Sequence, residues 1–545
     1  MVHRRIHRPT FCREDVTVPN SSASFTGAVA TPHTLATDAA TDAFRDGGSA
    51  IDAAIAAAAV LTVVYPHNVA LGGDLIALVR SPDGEVTCVN SSGWTGAHAD
   101  VDAMRAKYGS ALPARGADTV SVPGGVRGWE ALHGMGGRLP WHRLLQPAHR
   151  AADTGAPVAA SLGAHLDDPE NADLMGFEDF ERLFRPGGRL LQTGDQFRQP
   201  ALASTFATLA GGGPDAFYRG DLAAAMVRYL RSHGSVLDEA DFADFRPEIT
   251  APASVEFRGL TVSTSPPNTH GFIMLRALAA LEEFHTGAPL ADDLGTLMRV
   301  FHHGNRLRAE FLADPRHVPV DVQALVHDDL RAATPVGDAA AARSVPRGDT
   351  VGVAAADGDG WAVSLIQSVY HAFGSGLVDP DTGILFHDRG TSFSLDSGAP
   401  NVLAPRKRPL HTLMPVIVTE KSELRHVLST MGGQGQPQIL TQVLLRMLDG
   451  ATAVDAVAAP RAVVGQQALG STDDSVVVEA DLGAVALASL HASAFETVEV
   501  PRHSENLGHS NVIRVGRGGD MTAASDPRSD GSAAVVQYAR HQRMT

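Results

Sequence analysis

Residues 347–368, RGDTVGVAAADGDGWAVSLIQS, set Gly-Asp-Thr directly before two apolar runs joined by Asp-Gly-Asp-Gly. The runs Thr350–Ala356 and Trp361–Ser368 have the length and alternation of strands, and the turn between them predicts a β-hairpin. Upstream, residues 332–349, AATPVGDAAAARSVPRGD, contain two prolines and almost no hydrophobic periodicity, and read as a linker. Taken locally, Gly-Asp-Thr fits an ordinary turn. A second reading gives the threonine a task. If the Asp349–Thr350 bond is cut, Thr350 offers a hydroxyl nucleophile and, on the same residue, an α-amine of pKa about 7.7–8.0 that can take the hydroxyl proton. This self-contained nucleophile–base pair needs no separate Ser-His-Asp set.

The rest of the chain frames that possibility. At 545 residues it can bury a large core, and its 44% apolar and 19% charged content is that of a globular protein. With 61 acidic against 44 basic residues the formal charge is -17, which argues against a nucleic-acid partner. Cys12 and Cys88 are the only cysteines, so no disulfide framework is expected, and no Cys/His spacing reads as a metal site. The N-terminus lacks the apolar core of a secretory signal, and the longest apolar run, Ala53–Tyr65, is too short to span a bilayer. A cytoplasmic location without membrane attachment is expected.

Residues 1–25 read as a frayed arm. Helices are predicted at Thr34–Arg45 and Ala50–Tyr65, and a hairpin follows over DLIALVRSPDGEVTCVN. Helices are expected to dominate from about 125 to 330, with Gly/Pro joints such as STSPPNTHG. Beyond the linker, strands are predicted at Pro415–Thr419, Leu424–Thr430 and Ser475–Glu479. Strand pairs mixed with buried helices predict a layered α+β architecture.

Several stretches resemble, in order, the gamma-glutamyltransferase family of N-terminal-nucleophile hydrolases. They include GGSAIDAAIAAAAVLTVVYPHNVALGGDLIALV, SVPGGVRGW, LLQPAHRAADTGAPV, LDEADFADFRPEI, FGSGLVDPDTGIL, RPLHTLMPVIV and MGGQGQPQIL, besides the opening stretch. The resemblance implies a four-layer αββα sandwich and autocatalytic cleavage between Asp349 and Thr350. Residues 1–349 would form a large subunit and 350–545 a small one, associated as a heterodimer or a dimer of heterodimers, with no cofactor and no metal. By motif position Thr350 matches the nucleophile and Ser368 the hydroxyl beside it. Gly432 and Gly433 match the pair whose N–H groups form an oxyanion hole. A plain turn at Gly432-Gly433 and a capped strand end at Ser368 are the structural alternatives.

The sequence departs from the family where a glutamyl group would be held. The family's Arg falls at Ser92, its Asn at Tyr370, and its Gln and Asp at Arg389 and Ser392; its Ser-Ser pair becomes His411-Thr412. Two residues after the nucleophile its His is Gly352. An acidic amine-binder is lost and a cation gained, which favours a carboxylate-bearing substrate over an amino-acid zwitterion. A surface salt-bridge role is the alternative for Arg389, and a structural one for His371 and His411. The pattern is similar to a sub-branch of the family that contains oxamate amidohydrolase. The expected activity is hydrolysis of a small, carboxylate-bearing amide, oxamate-like or glutaryl-like. A genuine gamma-glutamyltransferase or glutathione hydrolase, and a non-catalytic metabolite-binding scaffold, are the alternatives.

Overall fold

The hairpin of the opening stretch is present and extends at both ends: Gly348–Asp357 pairs antiparallel with Ala362–His371. The structure, a computed structural model, describes residues 24–331 and 348–539. The expected linker therefore lies outside the described residues except for Gly348 and Asp349, which are strand, paired with His371 and Tyr370. The N-terminal arm is likewise outside, except that Ser24 and Phe25 open the strand Ser24–Thr31.

Two antiparallel sheets occupy the middle of the molecule. One has the order Ser532–Ala539, Ser24–Thr31, Gly348–Asp357, Ala362–His371, Asp74–Arg80, Val86–Ser91, Glu248–Thr250. The other runs Met521–Ser525, Ser510–Val515, Glu423–Thr430, Val416–Glu420, Leu260–Thr264, Ala253–Phe257. Ile76, Leu78, Ala354 and Ile366 from the first sheet pack with Ile417, Val427 and Ile513 from the second. The alternate residues of the first sheet, such as Val353 and Leu365, join a core built with the helix Ala50–Val64. The second sheet's other face packs on Phe272–Phe284, Leu294–Phe311 and Gln436–Leu448. Because strand side chains alternate, each sheet is apolar on both faces and needs a partner on each. The result is the four-layer αββα sandwich.

The helix Ala50–Val64 shows how local sequence fixes a layer. Every residue in it is buried, as its unbroken run of Ala, Ile, Val and Leu requires. Ser49 caps it: its hydroxyl accepts from the Asp52 N–H while the Asp52 carboxylate accepts from the Ser49 N–H. Asp357, from the Asp-Gly-Asp-Gly turn, accepts from the Ala50 N–H at 2.8 Å. The turn thus closes its hairpin and ties the helix to it. Thr34–Arg45 and Ser475–Glu479 have the expected bounds. The strands Glu248–Thr250, Ala253–Phe257 and Leu260–Thr264 fall where helix was expected. They are short, and Ala253–Phe257 alternates buried and exposed residues rather than presenting an apolar run. No helix among the described residues is long and apolar enough to cross a membrane.

Candidate active site

The register shifts between Gln367 and Tyr370, so that Ser368 and Val369 bulge opposite Thr350. The bulge brings three polar groups to one point. The Thr350 Oγ–H donates to Ser368 Oγ at 3.1 Å, Ser368 Oγ–H donates to the Asp349 carbonyl oxygen at 2.7 Å, and the Tyr370 N–H donates to Ser368 Oγ at 2.8 Å. Thr350 and Ser368 are buried. Gly352 sits where the strand Glu423–Thr430 crosses closely: a Cβ there would lie 2.7 Å from the Thr430 nitrogen. No larger residue fits without moving that strand.

Gly432 and Gly433 line, with Asp349, a cavity of about 160 Å³. Their φ values are 144° and 50°, in the region that favours glycine. A Cβ on Gly432 would lie 2.4 Å from Ile439 Cδ1. Among the described residues neither amide N–H has a hydrogen-bond partner. Two free N–H groups on a rigid turn can receive an oxyanion.

Tyr370 and His371 also line the cavity. Tyr370 has φ 82°, a strained value for a bulky residue. Its ring lies under the Arg389 guanidinium, 3.7 Å from the ring centroid. His371 is held by Asp388, Nδ1 to Oδ2 at 2.6 Å. Arg389 is buried, with Nη1 donating to Thr412 Oγ1 at 3.1 Å.

The remaining expected residues lie behind this surface. His411 Nε2 donates to Asp74 at 3.1 Å; burial and then Arg389 lower the His411 pKa to about 3, so it is neutral. Burial raises the Asp74 carboxyl, but His387 and His411 outweigh it, and its pKa falls below the ordinary carboxylate value. Ser92 donates to Asn90 Oδ1 at 2.8 Å and accepts from Asn268 at 3.2 Å. Ser392 donates to the carbonyls of Arg389 and Leu410, both at 2.9 Å. Neither serine lines the cavity; each holds backbone or amide groups that hold others.

Sequence reasoning missed His165 and Glu505, which complete the cavity wall. His165 Nε2 stands 3.4 Å from the Asp349 carboxylate. Burial lowers the His165 pKa but Asp349 outweighs it, and the pKa stands at about 9. Burial pushes Glu505 up to about 7, against the opposing pull of His165. Among the described residues His67, His165 and Glu505 form the one group whose ligand atoms, all within 4.8 Å of one another, could hold a metal ion. However, Ser161 joins two of them, accepting from His67 at 2.9 Å and donating to Glu505 at 2.7 Å. Asp349 beside His165 favours its protonated ring, which has no lone pair to give. The group is a hydrogen-bond network as it stands. No local pattern announces it, because its members come from three distant segments.

The family model for gamma-glutamyltranspeptidase matches residues 36–536. An oxamate amidohydrolase proenzyme from Klebsiella pneumoniae subsp. pneumoniae is 36% identical over 530 residues, covering 94% of this chain and 99% of its own. A glutathione hydrolase-like proenzyme from Bacillus subtilis is 36% identical over 521 residues, covering 93% of this chain and 98% of its own. The crystal structure of a cephalosporin acylase from Bacillus halodurans superimposes with a TM-score of 0.86 at 30% identity, covering 98% of this chain and 99% of that one. With its motifs in order, its sandwich and these relatives across nearly the whole length, the chain belongs to the gamma-glutamyltranspeptidase family and is an enzyme of it.

Proposed function

We propose that this enzyme is an amidohydrolase that cuts itself between Asp349 and Thr350 and then uses Thr350 to hydrolyse a small, carboxylate-bearing amide. The carrying observation is the relay Thr350 Oγ to Ser368 Oγ to the Asp349 carbonyl, at 3.1 and 2.7 Å. As Thr350 Oγ attacks the Asp349 carbonyl carbon, its proton passes to Ser368, whose own proton passes to the carbonyl oxygen. The neutral tetrahedral adduct collapses as its hydroxyl proton passes to the nitrogen: the C=O bond reforms, the C–N bond breaks, and the nitrogen leaves as the α-amine of Thr350. Water then hydrolyses the Asp349 ester, leaving 1–349 and 350–545 as associated subunits.

In turnover the α-amine accepts the Thr350 hydroxyl proton as Oγ attacks the substrate carbonyl. The Gly432 and Gly433 N–H groups stabilise the oxyanion, and the amine returns the proton to the leaving nitrogen. Water completes hydrolysis of the acyl-enzyme. Arg389, paired with Thr412 and stacked on Tyr370, supplies a cation for the substrate carboxylate. The names of the relatives support a small or acyl-type amide: oxamate amidohydrolase at 36% identity and cephalosporin acylase at 30%. The glutathione hydrolase-like relative, also at 36%, keeps gamma-glutamyl hydrolysis as a second reading.

The test is a denaturing gel with intact mass, followed by a substrate comparison. Two fragments divided after Asp349, abolished in Thr350→Ala, are expected; a persistent single species of 57.1 kDa refutes self-cleavage. Oxamate or glutaryl amides should be hydrolysed faster than gamma-glutamyl-p-nitroanilide. The reverse order selects the gamma-glutamyl reading.

A further inference from the structure

Two buried guanidiniums each touch a residue of this wall, Arg389 stacking on Tyr370 and Arg308 donating to Gln434, without an ion-pair partner among the described residues, and the sequence singled out only one. Arg389 is 1% exposed, and its Nε and Nη2 have no hydrogen-bond partner. Arg308, from the helix Leu294–Phe311, is 9% exposed; its Nη2 donates to Gln434 Oε1 at 2.6 Å while its Nη1 has no partner. Both cations act on the same two groups, the Tyr370 phenol and the His270 ring. The nearby acids are already engaged. Asp388 holds His371, and Asp74 holds His411 and the Gly93 N–H. Gln436, two residues beyond Gln434, leaves its amide nitrogen unpartnered as well. Buried donors of this kind are costly to leave unmade, and unpaired buried cations are costlier still. Forks with one neutral acceptor each and an amide with none leave donors over, and form a site for an anion that arrives from outside.

We propose that Arg308 and Arg389 together form a two-arginine site for the substrate's carboxylate, closed by Tyr370 until the chain is cut. This rests on the reading of the enzyme as a carboxylate-directed amidohydrolase, and it adds Arg308 as a specificity-determining residue. Three observations make Tyr370 the cover. Its ring stacks on Arg389 at 3.7 Å, its backbone is held at φ 82°, and it is paired in the sheet with Asp349. The neighbouring pair, Gly348 with His371, belongs to the same short ladder. Cleavage after Asp349 frees the strand that holds Tyr370 and His371 in register. The strained residue can then relax and expose the guanidiniums to the cavity. Gln434, which lines the cavity and accepts from Arg308, connects that arginine to the same opening.

The experiment measures binding of oxalate and of glutarate by calorimetry, with no turnover involved. The cut wild-type enzyme is compared with the uncut Thr350→Ala protein and with cut Arg308→Gln and Arg308→Lys. Expected are binding of at least one probe to the cut enzyme, at least about tenfold weaker binding to the uncut protein, and a similar loss in Arg308→Gln. Arg308→Lys keeps the charge but not the fork, and should recover only part of the affinity. In the uncut protein, Tyr370→Gly should restore binding. Equal binding by wild type and both Arg308 variants overturns the two-arginine site, and equal binding by cut and uncut protein overturns the cover. Binding of neither probe to the cut enzyme also overturns the proposal. Failure of the chain to cut, or of the cut enzyme to hydrolyse any amide, counts instead against the function proposed above. A KM rise with little change in kcat for Arg308→Gln supports the site through a second readout.

Discussion

Replacing Ser368 with Ala removes three hydrogen bonds at one oxygen: the donor to the Asp349 carbonyl, the acceptor for Thr350 Oγ and the acceptor for the Tyr370 N–H. The first two belong to the reaction and the third to the fold. Loss of one preorganised donor at a developing oxyanion costs about 10²–10³ in rate, roughly 3–4 kcal/mol. Loss of the proton path from Thr350 adds to that, so self-cleavage should slow by at least about 10³-fold. Leaving the buried Tyr370 N–H unsatisfied costs about 1–3 kcal/mol of stability, which a domain of ordinary stability, about 5–15 kcal/mol, survives. The variant should therefore fold and stay uncut. The assay follows the uncut band over time on a denaturing gel, with urea unfolding as the control for folding. Ser368→Thr, which keeps the hydroxyl, should cleave measurably. Cleavage of Ser368→Ala within about threefold of the wild-type rate, in a folded sample, would show that the relay is not the path.

Other outcomes follow from the same geometry. A Gly432→Ala enzyme must place a methyl against Ile439, 2.4 Å from its Cδ1, and should lose about 10²-fold or more in kcat through displacement of the oxyanion N–H groups; steady-state kinetics on the cut enzyme check this. Because the α-amine must be neutral to accept a proton, kcat/KM should rise with pH and level off above the amine's pKa, ordinarily about 7.7–8.0; a profile flat from pH 6 to 9 contradicts an amine base. In the uncut Thr350→Ala protein, His165 gains from Asp349, and its pKa is raised from 6.5 to about 9. That stabilisation is fully present below pH 6.5 and is lost as pH rises through about 9. At about 1.4 kcal/mol per pH unit it is bounded at roughly 3 kcal/mol. Chemical unfolding of Thr350→Ala with and without His165→Gln should show the difference shrinking over that window.

Much of this was legible because it is local. The apolar run of Ala50–Val64, the Asp-Gly-Asp-Gly turn and the glycines at 432 and 433 each declare themselves within a few residues. Thr350, Ser368 and the glycine pair were named from motif order; the glycine pair lines the cavity together with Asp349 and Tyr370, the sequence neighbour of one and a hydrogen-bond partner of the other. What stayed hidden is what the sheets assemble from distant segments. Arg308 reads as an ordinary solvated residue on a helix until the fold buries it. His165 and Glu505 are separated by most of the chain. The strands between Glu248 and Thr264 escaped because they are short: Glu248–Thr250 buries none of its residues, Ala253–Phe257 two alternate ones and Leu260–Thr264 only its last three. Ser92 was named as a substrate-binding candidate, but its hydroxyl is committed to Asn90 and Asn268, and no sequence signal tells a spent hydroxyl from an available one.

The strand order of the seven-stranded sheet has a consequence for the life history of the molecule. Ser24–Thr31 lies between Ser532–Ala539 and Gly348–Asp357, pairing in the latter with Ala354–Asp357, so a segment upstream of the proposed cut is flanked on both sides by segments downstream of it. Neither fragment owns a complete sheet. Pulling them apart would bare raw strand edges on both, which invites aggregation more readily than reassembly. A molecule cut there must finish folding first, and once cut it would have no simple road back. Its durability is then set by how slowly it comes apart, and heating should inactivate it once and for all.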